Sequence, residues 1–353
     1  MELKTKTARL DAAKRADIAH AAELLRRGGT VAFPTETVYG LGANALASEA
    51  VAKIFEAKQR PRWDPLIVHV CDREMLTRVV QGELSPAAEA LVQKFWPGPL
   101  TLLLPRTNGV PDAVTAGRPL VGVRMPAHPV ALELIRLAAV PIAAPSANRF
   151  GHTSPTTAAH VLADLDGRID AVLDGGPTMV GVESTVAEVD EDRIIVYRPG
   201  GVTREMLETV IGEDCVSYYE SPESSPDPQS LPSPGVGIRH YAPRAHVSLC
   251  PVRKSYPEAS VDFARWIGSL EERGGTLGVM LPDGWDACHA PLVYRWGPWD
   301  DQDKLAGRLY AGLRELDDRG ATIIAAPLPG AGGMGFAIQD RLTKAAKAIL
   351  PLI

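Results

Sequence analysis

The chain has 353 residues, 45% hydrophobic and 23% charged, enough apolar material to build one large core or two ordinary ones. Its formal net charge of −6 excludes a surface that holds polyanions by general positive charge, so any such ligand must meet a local patch of cations. The N-terminal stretch is polar and no apolar run is long enough to span a bilayer; Cys71, Cys215, Cys250 and Cys288 show no C-x-x-C spacing. A cytoplasmic protein is expected, without membrane contact, disulfide framework or protein metal site.

Ile18, Ala21, Ala22, Leu24 and Leu25 share one face of a helix over 17–27, which Gly28-Gly29 closes. Residues 30–33 read as a short buried strand ended by Pro34. Gly40-x-Gly42-x-x-Ala45 has the outline of a dinucleotide fingerprint. It stands too far from the strand, and no acidic residue follows a second strand at the right distance, so a glycine-rich connection is expected instead. Ser48 is placed to cap a helix through Ala57. That helix delivers Lys58-Gln59-Arg60-Pro61-Arg62, three cations in five residues. A proline among them fixes the backbone and lowers the entropic cost of converging on a polyphosphate.

Residues 65–70 form a second strand with one histidine, His69, which taken alone reads as a core residue. A helix over 85–95 leads through Trp96-Pro97-Gly98-Pro99 into a buried strand over 100–104. The strand over 121–126 carries Arg124 among apolar neighbours. A buried guanidinium needs a counter-charge, and no neighbouring acid offers one, so a ligand carboxylate is the expected partner. The apolar run 140–144 stops at Pro145-Ser146-Ala147-Asn148, whose hydroxyl and amide suit a phosphate. Ser154 and Pro155 read as the N-cap and first residue of a helix through Leu165. Strands are expected over 181–189 and 194–197, the second ending at Arg198-Pro199-Gly200-Gly201, after which Thr203 caps a helix.

From Ser221 to Gly235 proline and serine dominate, as in a linker. Beyond it, strands over 247–252, 276–281 and 321–328 alternate with helices over 260–270 and 305–316 and one from near Gly335. That alternation indicates a small, largely parallel α/β domain. The loop from Pro329 to Gly335 is rich in glycine but lacks the Lys-Ser/Thr of a P-loop.

Several of these segments, in this order, resemble the YrdC family: residues 33–41, Lys58-Gln59-Arg60-Pro61, residues 95–101, Val123-Arg124-Met125-Pro126, Pro145-Ser146-Ala147-Asn148, residues 181–185 and Arg198-Pro199-Gly200. Ser233-Pro234-Gly235 with His240-Tyr241-Ala242-Pro243, and the extra C-terminal domain, are similar to the family's long form. The resemblance implies a twisted, open, mixed α/β sheet with a basic concave face over residues 1–212. A linker with a lid motif over 213–246 and a smaller Rossmann-like α/β domain over 247–353 complete the chain. It further implies synthesis of threonylcarbamoyl-AMP from L-threonine, bicarbonate and ATP with release of pyrophosphate. The product would feed N6-threonylcarbamoyladenosine formation at position 37 of tRNA, through a downstream transferase complex.

Carried over by position, Lys58, Arg60 and Arg62 would neutralise developing charge. Lys58, Arg62, Ser146, Asn148, Ser154 and Arg198 would bind ATP, with Ser233 and His240 closing over it. Thr35, His69, Arg124, Ala144 and Ser184 would form the threonine pocket, Arg124 as carboxylate clamp. Mg²⁺ would arrive with ATP, and Lys58→Ala would spare the fold while removing turnover. Two other readings stand beside this one. A double-stranded RNA-binding or ribosome-associated module could use the same cations, with weak RNA binding and no turnover. Another adenylate-forming or carbamoyl-transfer enzyme with a different acceptor is the second; among these, hydrogenase-maturation carbamoyltransferases carry a related domain but add zinc-finger cysteines that this chain lacks.

Overall fold

A computed structural model describes residues 6–191, 193–220, 233, 241–252, 258–271, 274–287, 289–346 and 348–349. By its internal contacts the chain divides into two units. The first comprises Met1–Phe150, Ser154–Met179 and Glu183–Gly237; the second comprises Gly151–Thr153, Val180–Val182 and Ile238–Ile353.

In the first unit the elements follow as β1 (Ala8–Asp11), α1 (Arg15–Arg26), β2 (Val31–Pro34), β3 (Tyr39–Asn44), α2 (Ser48–Lys58), β4 (Ile67–His69), α3 (Arg73–Thr77), α4 (Pro86–Phe95) and β5 (Leu100–Pro105). They continue as α5 (Asp112–Thr115), β6 (Leu120–Arg124), α6 (Pro129–Ala138), β7 (Ile142–Ala143), α7 (Ala158–Leu165), β8 (Ala171–Asp174), β9 (Thr185–Asp190), β10 (Arg193–Arg198), α8 (Arg204–Ile211) and β11 (Val216–Tyr218). The strands make one 11-stranded sheet in the order β1-β8-β2-β3-β7-β4-β6-β5-β9-β10-β11. It is mixed, as expected: β4 pairs β6 in parallel, while β3 and β4 both pair β7 antiparallel.

Helix α1 buries Ile18, Ala21, Ala22 and Leu25, the face that its spacing marks out. Each large aliphatic side chain so buried contributes about 1.5–3 kcal/mol. The helix ends as expected, with Gly28 at φ 76 and the Gly29 amide donating to Leu24 O at 2.8 Å.

Three local expectations are corrected. Residues 39–44 are not a connection but strand β3, antiparallel to β2. A Cβ on Gly42 would meet Ile142 Cγ2 and Phe33 Cε1, each at 2.8 Å. The glycines are therefore there to let strands and side chains approach, which a motif outline cannot reveal. Gly42→Ala is expected to lower stability by about 1–3 kcal/mol through overpacking, measured by chemical denaturation. An unchanged midpoint would remove the packing explanation. Ser48 makes no cap; Ala47 precedes α2 and has no side chain to offer. Helix α7 begins at Ala158 and is capped by Thr157, whose hydroxyl accepts from the His160 amide at 3.2 Å. Ser154 lies outside the helix, because its hydroxyl is used elsewhere. The Thr203 cap on α8 is as expected.

In the second unit, β12 (His246–Pro251), α9 (Glu258–Glu271), β13 (Leu277–Pro282), β14 (Leu292–Gly297), α10 (Gln302–Asp318), β15 (Ile323–Leu328), α11 (Met334–Ala345) and β16 (Ala348–Ile349) form a five-stranded sheet, β14-β13-β15-β12-β16. All its pairings are parallel, so this sheet too is as expected. Phe263 and Trp266 of α9 pack with Leu277, Val279 and Leu281 of β13 in its core. The glycine loop before α11 has a packing reason: a Cβ on Gly335 would stand 1.9 Å from Gly330 O, and Gln302 Oε1 accepts from the Gly335 amide at 2.9 Å. Among the described residues no helix is long and apolar enough to cross a membrane.

Candidate active site

The loop after β7 continues the pairing of β3. The Leu41 amide donates to Pro145 O, and the Ala147 amide to Tyr39 O, each at 2.8 Å. This fixes the backbone of Ser146 and Asn148 beside the C-terminal end of α2. Lys58, 1% exposed, reaches across from that end. Its ammonium donates to Ser146 O at 2.5 Å and to Asn148 O. Burial, and then Arg60 beside it, push the Lys58 amine well below its ordinary range, against the pull of Asp64, Asp164 and Glu183. The lysine thus ties the loop from beneath.

Arg60 is anchored rather than projecting. Its Nη2 lies 2.9 Å from Asp64 Oδ2 and donates to Pro65 O at 2.8 Å, while Nε donates to Asp64 O at 3.2 Å. Asp64 is fully buried. Burial pushes its carboxyl up, while Arg60, Lys58 and Arg198 pull it down. Arg62, by contrast, is exposed and has no partner among the described residues. Of the three expected cations, two are built into the frame and one is open to solvent.

A second group of charges gathers where the β2–β3 turn meets the end of β6. Thr35 organises the turn: its hydroxyl lies 2.8 Å from Thr37 Oγ1 and donates to Val38 O at 2.7 Å. Arg124 is buried, with Nη1 donating to Thr37 Oγ1 at 3.0 Å and Nε to Gly98 O at 3.1 Å. Its Nη2 is 2.6 Å from Glu36 Oε1. The expectation that no acid supplies a partner for Arg124 is therefore corrected. Glu36 is remote in sequence, and only the hairpin β2–β3 brings it to the end of β6. Burial raises the Glu36 carboxyl, but the Arg124 charge and hydrogen bonding outweigh it, and the net shift is downward. His69 is buried beside this pair, edge-on to Phe33 at 6.2 Å. Burial, then Arg124, hold it down to about 3, so it is neutral at physiological pH. Ala144 is buried too, against the β3 backbone at Gly40.

The third group lies before β9 and at the end of β10. Ser154 Oγ donates to Glu183 Oε1 at 2.6 Å. Arg198 donates through Nε to Ser184 O and through Nη2 to Ser184 Oγ, each at 3.1 Å. Ser184 Oγ is also 2.8 Å from Thr101 Oγ1. Gly200 is required here, since a Cβ would lie 2.2 Å from Glu183 O. Ser233 is fully buried, and His240 falls outside the described residues.

The structure thus brings Lys58, Arg60, Ser146 and Asn148 together, joins Ser154 to Glu183 and Arg198 to Ser184, and places His69, and Thr35 through Thr37, beside Arg124. Sequence reasoning missed Glu36, Asp64, Thr101 and Glu183. Only Asp64 carried a readable signal, an acid four residues after Arg60.

A mixed α/β sheet that collects buried cations, carboxylates and hydroxyls at its loops defines a small-molecule enzyme rather than a general polyanion binder. Residues 23–200 match the Sua5/YciO/YrdC family model, described as Telomere recombination, and residues 202–347 match the model of the Threonylcarbamoyl-AMP synthase C-terminal domain. The chain belongs to the Sua5/YrdC family, in its long two-domain form. It is 43% identical to Threonylcarbamoyl-AMP synthase of Pyrococcus abyssi, with 92% of each chain covered. It is 44% identical to that of Bacillus subtilis, over 93% of this chain and 92% of the relative. It also resembles the crystal structure of P. abyssi Sua5 complexed with L-threonine, with TM-score 0.88 and 39% identity over 98% of this chain and 99% of that one.

Proposed function

We propose that this chain is an L-threonylcarbamoyladenylate synthase, which makes threonylcarbamoyl-AMP and pyrophosphate from L-threonine, bicarbonate and ATP. The observation that carries this reading is the correspondence, over 92% of both chains, with a relative of that name. The alternative of an RNA-binding module without turnover has no comparable support.

In this reading the threonine amine and bicarbonate combine to a carbamate with loss of water. A carbamate oxygen then attacks the α-phosphorus of ATP, forming the mixed anhydride as the bond to pyrophosphate breaks. No covalent enzyme nucleophile is needed, so catalysis is positioning and charge neutralisation. Arg62 is exposed and open to the polyphosphate. Lys58, Ser146 and Asn148 form the floor beneath it, and Arg60 adds its charge from its anchored place. Ser154, Arg198 and Ser233 complete the ATP site among the described residues. Thr35, His69, Arg124, Ala144 and Ser184 hold threonine, with Arg124 taking its carboxylate. Mg²⁺ bound to ATP would offset the charge of its phosphates, alongside the Arg62 and Arg60 cations. The labile carbamate favours a site that keeps water out. The product would pass to a tRNA threonylcarbamoyl transferase complex in the cytoplasm.

The test is pyrophosphate release from ATP by the full-length protein, with threonine and bicarbonate omitted in turn. Release that requires both is expected. Release indifferent to threonine would mean a different acceptor, and no release would overturn the enzyme reading.

A further inference from the structure

The hydroxyls of Thr101 and Ser184 hold one proton more than the protein around them accepts. Alternate residues of β5 divide between two faces: Leu100, Leu102 and Leu104 enter the main core, and Thr101 shares the other face with Leu103. A Cβ on Gly122 would stand 3.3 Å from Thr101 Cγ2. The glycine thus makes room for the threonine methyl, and a β-branched side chain seated this way keeps one orientation. The Thr101 hydroxyl is fully buried and makes one hydrogen bond among the described residues, to Ser184 Oγ at 2.8 Å. Ser184 stands in the loop just before β9, 1% exposed. Its hydroxyl also accepts from Arg198 Nη2 at 3.1 Å.

A hydroxyl has one proton and two lone pairs, and a guanidinium can only donate. Arg198 therefore occupies one lone pair of Ser184. Of the two hydroxyl protons, one lies between Thr101 and Ser184; the other has no acceptor among the described residues. Buried donors are normally satisfied, so the second proton points to a ligand. Thr101 lies within the sheet, between β6 and β9, whereas Ser184 lies on a loop, so Ser184 is the place for the ligand to meet it.

A ligand oxygen that accepts from Ser184 satisfies every atom. Thr101 donates to Ser184, Ser184 donates to the ligand, and each bond polarises the next. A ligand that donated there would turn the pair round and strand the Thr101 proton at a fully buried atom. With a guanidinium on the same serine oxygen, an anionic acceptor is the best match. A carboxylate, a carbamate and a phosphoryl group all offer one.

We propose that Thr101 is a positioning residue of the reaction, which fills the last lone pair of Ser184 and so commits the serine hydroxyl to donate to an anionic oxygen of the substrate. This rests on the reading of Ser184 as a substrate contact. A serine with both lone pairs occupied has none to attack with, so its role is donation and not nucleophilic catalysis.

The test is steady-state pyrophosphate release by the full-length protein with Thr101→Val, which keeps the shape and deletes the hydroxyl, and Thr101→Ser, which keeps the hydroxyl and deletes the methyl. Thr101→Val is expected to lose about three- to tenfold in kcat/KM, the contribution of one hydrogen bond, and Thr101→Ser to match the parent. In a Ser184→Ala background Thr101→Val should have no further effect, because it acts through that oxygen. The parameter that moves identifies the acceptor: KM for threonine a carboxylate, KM for ATP a phosphoryl group, and kcat alone the carbamate, which exists only once the substrates have combined. Turnover by Thr101→Val equal to the parent's, a serine variant more impaired than the valine, or the same loss with and without Ser184 would mark a packing role and overturn the proposal. If Thr101→Val does not fold, Thr101→Ala against Thr101→Ser reads the same difference, and a serine variant no more active than the alanine would overturn it. A parent chain that releases no pyrophosphate would overturn the enzyme reading itself, and this inference with it.

Discussion

Lys58→Met is expected to lower pyrophosphate release by about a hundred- to a thousandfold, the range seen when one preorganised charge-stabilising donor is removed. The methionine is close in length and apolar, so packing is largely kept and only the ammonium is lost. Two carbonyls, Ser146 O and Asn148 O, then lose their donor, and Asp64 and Glu183 lose a neighbouring cation. The sequence alone led to the expectation that removing this amine would spare the fold. The burial of Lys58 adds an expected stability cost to that, since a carbonyl left unsatisfied costs about 1–3 kcal/mol. Turnover and thermal midpoint should therefore fall together, measured by pyrophosphate release at saturating threonine and bicarbonate and by thermal unfolding. Turnover equal to the parent's would remove Lys58 from the machinery. A lowered midpoint with normal turnover would leave it a purely structural tie.

Asp64→Ala is expected to cost about 3–5 kcal/mol of stability, the range for breaking a buried ion pair by deleting one partner. Asp64 is fully buried, 2.9 Å from Arg60, and feels Lys58 and Arg198 as well. Its removal leaves those cations gathered in a dry place without their carboxylate. The denaturant midpoint should drop with little change in slope, because the folded core stays the same size. Arg60 would then swing away from Pro65 O, and ATP-dependent turnover should fall with it. A midpoint like the parent's would mean that solvent already screens the cluster.

The amphipathic helices and the sharp turns were legible because their signals are local. The apolar face of α1, the Gly28-Gly29 stop and the cap at Thr203 all depend on residues within a turn or two of one another. The alternation of strands and helices in the second unit gave its parallel sheet for the same reason. Strand β3 was not legible, since Gly40 and Gly42 are poor strand formers and belong there only because Phe33 and Ile142 crowd them. Ser154 misled because a serine before a proline is a fair cap on local rules. In the folded chain the nearby Glu183 takes its hydroxyl, and Thr157 does the capping. At the candidate site the cations were visible and their counter-charges were not. A cation-rich stretch is contiguous, whereas Glu36 and Glu183 are brought to it by the sheet.

The order of the sheet also bears on how the chain is made. Among the described residues strand β1 pairs only with β8, Ala8 opposite Ala171, and β8 also lies beside β2. At about 5–20 residues per second, the ribosome would release β1 roughly 10–30 seconds before its partner exists. During that interval the earliest strand has no hydrogen-bonding edge to join, and β2 has only its hairpin with β3. Emergence of β8 closes that end of the sheet on both sides at once. A nascent chain stalled before Ala171 would therefore hold β1 without the strand it pairs with.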